Sequence, residues 1–111
     1  MKRIYPERIE DIKEQINNIT LATSNVTKED FFNNYILQAA IIRWLEIIGE
    51  AAKYIPENIK TTYPEIPWKQ MAGMRDIVAH DYDNIEYDQV WNTIQEDIPI
   101  LKIQIDKIIL S

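Results

Sequence analysis

The apolar residues of this chain recur at steps of three and four positions, and this spacing limits the fold more than any other feature. Ile9, Ile12, Ile16 and Ile19 are an example, since residues spaced in this way share one face of an α-helix. No segment shows the strict alternation of a half-buried strand. Only two of the 111 residues are glycine. The sequence therefore predicts an all-α fold, and it excludes a dinucleotide-binding fold because it has no glycine-rich phosphate loop.

Prolines and capping residues mark the first two helices. Pro6 suits the first turn of a helix over about residues 6–22. Thr27 and Asp30 resemble a capping box, which predicts that a second and longest helix begins there and runs to Ile55, where Pro56 stops it.

The remaining helices follow a proline-rich connector. The segment PENIKTTYPEIPW predicts an ordered connection with one helical turn. Pro67 starts a third helix that ends near His80, because DYDN is a turn-forming cluster. A fourth helix begins around Tyr87, continues to the C-terminus and bends at Pro99. Together these elements predict an antiparallel bundle of four main helices, which forms a single domain over residues 1–111.

The inward faces of the last two helices complete the predicted core. They carry Trp68, Met71, Met74, Ile77, Val78, Val90, Trp91, Ile94, Ile98, Leu101, Ile105 and Ile108. The three tryptophans, including Trp44, are predicted to be core residues rather than base-stacking platforms, since each lies among aliphatic neighbours at helical spacing. Gly49 and Gly73 are expected to permit close approach of helices.

A narrow charged stripe interrupts the otherwise apolar second helix. At 100° per residue, a sector of roughly 80° holds Arg43, Glu46, Glu50 and Lys53. Two interpretations remain open. The stripe is either solvated, with ion pairs such as that between Arg43 and Glu46, or it lines a cleft.

Composition limits the functions that the protein can have and the cellular compartments in which it is expected. A net charge of −6 gives no broad attraction for nucleic acid, so that any contact with RNA has to be local. The absence of cysteine excludes disulfides and thiolate zinc sites. The polar start MKRIYPERIED shows neither a signal peptide nor a membrane span, which makes a cytoplasmic location and no membrane partner the expectation.

The stretch MRDIVAHDYD contains the single histidine of the chain, His80. Arg75 precedes it by five positions, which on a continuous helix separates the two side chains by about 140°. For the two side chains to act together, either the chain turns at His80, or a second copy of the protein contributes the matching side chain across a two-fold axis. Asp76 lies on the face of His80 and can fix its tautomer. The simpler interpretation is a histidine that interacts with the dipole at a helix C-terminus.

An arginine beside a histidine suits cleavage of an RNA phosphodiester without a metal. The imidazole can exchange protons near neutral pH, and the guanidinium can hold the phosphate and stabilise its developing charge. Two copies of the pair in a dimer would supply both proton transfers. A cation site built from His80, Asp81, Asp83 and Glu86 is the weaker hypothesis, since these residues lack a defined ligand spacing.

Three segments resemble the HepT family of small helical proteins within the HEPN superfamily. They are IIRWLEIIGEAAKYIPENI, YPEIPWKQMAGMRDIVAHDY and YDQVWNTIQEDIPIL, and the resemblance covers about residues 35–101. The signature of that family is Arg, four residues, His, one residue, Tyr. Arg75, His80 and Tyr82 meet it.

The resemblance implies a HEPN-like bundle that forms a two-fold dimer with the Arg and His at its interface. It also implies the toxin of a type VII-like toxin–antitoxin pair, a metal-independent endoribonuclease that acts on RNA, tRNA included, and needs no cofactor. The implied partner is a cognate MntA-type nucleotidyltransferase that binds the toxin in a larger complex and transfers AMP to Tyr82. In this scheme Arg75 and His80 are catalytic, while Asp76, Arg43 and Glu50 support them.

A hypothesis from a different class is a non-catalytic module that binds a nucleotidyltransferase or nucleotides. The intact set of Arg75, His80 and Tyr82 favours catalysis, since a scaffold has no need of all three.

Overall fold

A computed structural model describes residues 5–77 and 85–108 of the chain. Within these ranges the chain consists of helices joined by short turns, with no strand. The predicted all-α fold is confirmed.

Seven α-helices lie in the described ranges, together with a 3₁₀ turn and a π-helical turn. The α-helices are α1 (Tyr5–Thr23), α2 (Lys28–Phe32), α3 (Tyr35–Lys53), α4 (Glu57–Thr62), α5 (Trp68–Gly73), α6 (Tyr87–Asn92) and α7 (Ile98–Asp106). The 3₁₀ turn spans Met74–Ile77 and the π turn spans Thr93–Asp97.

The first helix agrees with its prediction and packs along α3. Its four isoleucines are at most 1 % exposed, as the spacing indicates. The guanidinium of Arg8, near the start of α1, lies 4.9 Å from the ring of Tyr54, which follows α3. The start of α1 thus lies beside the end of α3, as in an antiparallel pair.

The prediction of one continuous second helix is wrong, because the helix is interrupted at Asn33 and Asn34. Thr27 does form a capping box with Asp30, but α2 lasts only five residues. Asn34 then caps α3 by accepting a hydrogen bond from the backbone N–H of Leu37 at 3.0 Å. The amide of Gln38 donates to the carbonyl of Phe31 at 3.0 Å. Side-chain hydrogen bonds therefore satisfy both helix ends, which makes the break stable.

The connector holds a short helix, α4, as the sequence predicts, and α5 follows Pro67. The α-helical part of the third predicted helix is shorter than expected, because it ends at Gly73 and continues as the 3₁₀ turn. Glycine has low helix propensity, and 3₁₀ turns are frequent at helix ends. The predicted end near His80 lies outside the described residues, as does Val78.

The fourth predicted helix is present as α6, the π turn and α7 in uninterrupted succession, but it ends at Asp106, before the end of the chain. The π turn ends at Asp97, two residues before Pro99. Proline has no N–H and its ring clashes with the carbonyl four residues earlier, so a regular α-helix cannot pass through this point. A wider π turn is one of the known ways to accommodate such a break.

The core lies between α1, α3, α5 and α7. Trp68, Met71 and Met74 are buried, and so are the predicted residues of the fourth helix except Trp91. Trp44 and Trp91 are partly buried against this core, so the tryptophans pack as core residues. None of the helices in residues 5–77 and 85–108 is long and apolar enough to cross a membrane.

Candidate active site around Arg75

Arg75 lies in the 3₁₀ turn, where its backbone touches α3 at Gly49. A Cβ atom added to Gly49 would be 2.5 Å from the Arg75 nitrogen and 3.1 Å from the carbonyl oxygen of Ala72. The first distance is shorter than real Cβ atoms show, and the second is tighter than most such contacts. Gly49 therefore permits the close approach expected of it. Gly73 does not, because a Cβ there would meet nothing within 4 Å.

Two carboxylates hold the guanidinium of Arg75. Its Nη1 donates to Oε2 of Glu50 at 3.3 Å, and its Nε lies 3.6 Å from Oδ1 of Asp76. The Arg75 side chain remains 41 % exposed and that of Glu50 47 %. Arg75 is thus oriented by neighbours from two elements and can still be reached by a ligand.

Arg75 opens onto a cavity of about 530 Å³, here called the Arg75 cavity. Its charged lining comes from α1, α3 and the 3₁₀ turn. These residues are Arg8, Asp11, Arg43, Glu46, Glu50, Arg75 and Asp76. The volume falls within the range of about 300–1,000 Å³ that is usual for small-molecule sites.

The charged stripe of α3 is partly solvated and partly lines a cavity, so each of the two interpretations left open by the sequence applies in part. Nη1 of Arg43 lies 3.9 Å from Oε1 of Glu46, and Arg43 is well exposed, as expected of a solvated stripe. Arg43, Glu46 and Glu50 also line the Arg75 cavity. Lys53 is exposed, with its Nζ 5.8 Å from the ring of Tyr54.

His80 and Tyr82 lie outside the described residues. The rotation expected between Arg75 and His80 on a continuous α-helix needs correction, however. Since α5 ends at Gly73 and Arg75 belongs to a 3₁₀ turn over Met74–Ile77, a rotation of 100° per residue does not apply from Arg75 to Ile77. The five-residue spacing therefore does not by itself prevent Arg75 and His80 from meeting in one chain.

The alternative cation site also falls mostly outside the described ranges, since only Glu86 of its four residues is described. Glu86 lines a separate acidic cavity of about 510 Å³ together with Asp76, Glu96 and Asp97. Among the described residues no group of three or more His, Asp or Glu side chains has an arrangement that could hold a metal ion.

Two charged residues of the Arg75 cavity, Arg8 and Asp11, were not predicted from the sequence as site residues. Both belong to α1, which lies before the segment that carries the family resemblance. Their polar positions on an amphipathic helix are indistinguishable from an ordinary solvated face. Only the packing of α1 against α3 brings them to Arg75.

Comparison with known proteins gives a consistent result. A family model described as "Ribonuclease HepT-like" matches residues 12–108. The chain is 45 % identical over 108 residues to "Probable ribonuclease HepT" of Thermococcus cleftensis, covering 97 % of this chain and 98 % of that protein.

Two further relatives carry similar names. "Putative RNase MJ1216" of Methanocaldococcus jannaschii is 43 % identical, with 97 % of this chain and 89 % of that protein covered. "Putative RNase TTE0752" of Caldanaerobacter subterraneus subsp. tengcongensis is 36 % identical, with 91 % and 90 % covered. No solved structure gives a significant match.

Proposed function

Because the chain belongs to the HepT-like ribonuclease family, we propose that it cleaves RNA without a metal ion, using Arg75 and His80. The observation that carries this proposal is that Arg75 is both held in place and accessible. Its guanidinium is fixed by Glu50 and Asp76, yet it remains partly exposed on a cavity large enough for a ligand. A purely structural arginine would not need an open cavity beside it.

In the proposed reaction the ribose 2′-hydroxyl attacks the adjacent phosphorus, and the bond from phosphorus to the 5′ oxygen breaks. His80 accepts the proton of the 2′-hydroxyl as the new bond forms. A proton must also reach the departing 5′ oxygen. The guanidinium of Arg75 donates hydrogen bonds to the phosphate oxygens as negative charge builds up on them. The products are a 2′,3′-cyclic phosphate and a free 5′-hydroxyl.

We further propose that the active unit is a two-fold homodimer. One His80 serves as base and cannot at the same moment be the acid that protonates the leaving oxygen. A second copy supplies a second imidazole for that transfer.

The proposed biological role is that of the toxin in a type VII-like toxin–antitoxin pair, with tRNA among the candidate substrates and a cytoplasmic location. A cognate MntA-type nucleotidyltransferase would bind the toxin in a larger complex and neutralise it by transferring AMP to Tyr82. The physical argument is that a bulky, negatively charged group two residues from His80 repels an incoming RNA phosphate.

The first experiment compares RNA cleavage and growth inhibition by the wild type, Arg75→Ala and His80→Ala. Both variants should lose cleavage and toxicity, because each removes a group that acts in the transition state. Lys69→Ala is the control, since Lys69 is an exposed cation on the neighbouring helix α5. Equal cleavage by the wild type and both variants contradicts the proposal.

The second experiment tests the modification. With ATP and a cognate MntA-type nucleotidyltransferase, the wild type should gain the mass of AMP, whereas Tyr82→Phe should not and should stay toxic. Tyr35→Phe, at an exposed tyrosine on α3, should behave like the wild type. A folded protein that binds the transferase but never cuts RNA supports the interaction module instead.

A further inference from the structure

Arg8 differs from the other two arginines of the Arg75 cavity in its lack of an ion pair with any carboxylate that the structure describes. Arg75 pairs with Glu50 and Asp76, and Arg43 lies within 4 Å of Glu46. Within residues 5–77 and 85–108, Arg8 forms no ion pair. Of the three arginines that line the cavity, Arg8 is thus the one whose charge no described carboxylate pairs.

Tyr54 lies against Arg8, which lines this cavity. It is 50 % exposed, and both the Arg8 guanidinium at 4.9 Å and the Lys53 ammonium at 5.8 Å approach its ring. Tyr54 follows Glu50 by four positions, the spacing at which helical neighbours share a face. An exposed aromatic ring thus lies next to two cations, four positions after the residue whose carboxylate holds Arg75.

We propose that Arg8 and Tyr54 form a nucleotide subsite next to Arg75, in which Tyr54 stacks on an unpaired RNA base and Arg8 binds the phosphate of that nucleotide. This inference rests on the proposed ribonuclease function and extends it to residues of α1 and of the end of α3. Arg8 lies before residues 12–108, which the family model matches.

Three physical arguments support the subsite. Stacking on aromatic side chains and phosphate contacts from arginine are the usual means of binding single-stranded RNA. The net charge of −6 supplies no general attraction for RNA, so binding depends on local cations such as Arg8. Finally, the cavity has the volume of a small-molecule site, which leaves room for a bound nucleotide next to Arg75.

The test measures binding of a fluorescently labelled single-stranded RNA hexamer to the full chain carrying His80→Ala, which prevents cleavage. Adding Tyr54→Ala should weaken binding about tenfold, the effect of one lost stacking contact, whereas Tyr54→Phe should bind as before. Adding Arg8→Ala should weaken binding and lower the slope of log affinity against log salt by about 0.7, the value for one phosphate on a single strand.

A hexamer of abasic ribose phosphates separates the two roles. Tyr54→Ala should leave its affinity unchanged, because there is no base to stack, while Arg8→Ala should still reduce it. Lys13→Ala, another α1 cation that lines a different cavity, and Tyr35→Ala, at the opposite end of α3, are the matched controls. Thermal melts confirm that each variant is folded.

The outcomes distinguish this proposal from the one on which it rests. If the wild type cleaves RNA and His80→Ala does not, but Arg8→Ala and Tyr54→Ala bind RNA like their controls, the subsite is wrong and the ribonuclease function stands. If the wild type neither binds nor cleaves RNA, both proposals fail.

Discussion

Gly49 and Arg75 meet so closely that a methyl group on the glycine would lie 2.5 Å from the backbone nitrogen of the arginine and 2.9 Å from its Cβ. The contact joins the last part of α3, four residues before its end at Lys53, to the 3₁₀ turn. Because the nearest atom is backbone, a larger residue at position 49 can be accommodated only if the turn moves. The position of Arg75 thus depends on the lack of a side chain at Gly49.

Gly49→Ala should destabilise the protein by about 1–3 kcal/mol, the usual cost of an overpacked contact, and should reduce cleavage because Arg75 is displaced. Gly73→Ala is the control. Its added methyl group meets nothing within 4 Å, and alanine favours a helix by about 0.5–1 kcal/mol over glycine. Urea denaturation of both variants measures the difference. Equal stability of the two proteins would contradict the close contact.

Glu50→Ala should reduce the rate of RNA cleavage, because Arg75 loses a partner that positions it. Each 1.4 kcal/mol of lost transition-state stabilisation slows the reaction about tenfold. Stability should change by less than about 1 kcal/mol, because the ion pair is 41 % and 47 % exposed and pairs in water contribute little. A fall in kcat larger than the rise in KM would indicate that Glu50 positions Arg75.

The matched variant for Glu50 is Glu57→Ala. It removes an exposed carboxylate that lies 4.0 Å from Lys60 and does not line the Arg75 cavity. Its kinetics should equal those of the wild type. A Glu50→Ala enzyme with wild-type kinetics would show that Asp76 alone suffices to hold Arg75.

Cleavage should persist in excess EDTA and should leave a 2′,3′-cyclic phosphate or its opened product, because the proposed nucleophile is the ribose hydroxyl. Mass spectrometry of the fragments identifies these ends. Loss of cleavage on chelation, with recovery after a divalent ion is added, would instead favour the site built from His80, Asp81, Asp83 and Glu86.

A mixture of Arg75→Ala and His80→Ala chains should recover part of the activity that each lacks, provided that subunits exchange and that one site uses Arg75 from one chain and His80 from the other. Each parent incubated alone is the control. Full activity in a stable monomer at nanomolar concentration would exclude the dimer as the active unit.

Helical periodicity was sufficient to predict the all-α fold and most of the core. The three- and four-residue spacing identified the buried isoleucines of α1 and the inward face from Val90 to Ile108, since burial of an apolar face follows directly from helix periodicity. Pro56 and Pro67 marked real boundaries, because proline acts locally. Three segments, one of which contains Arg75, His80 and Tyr82, together indicated the family, and the comparison with known proteins confirms it.

Tertiary structure decided the features that depend on distant partners. The break at Asn33 and Asn34 is held by Gln38 reaching back to α2, a bond that periodicity does not reveal. The 3₁₀ turn brings Arg75 against Gly49 of another helix. Arg8 and Asp11 reach the Arg75 cavity only because α1 packs against α3. Periodicity describes which face of a helix is apolar, whereas the packing of helices decides which polar residues from separate faces share a cavity.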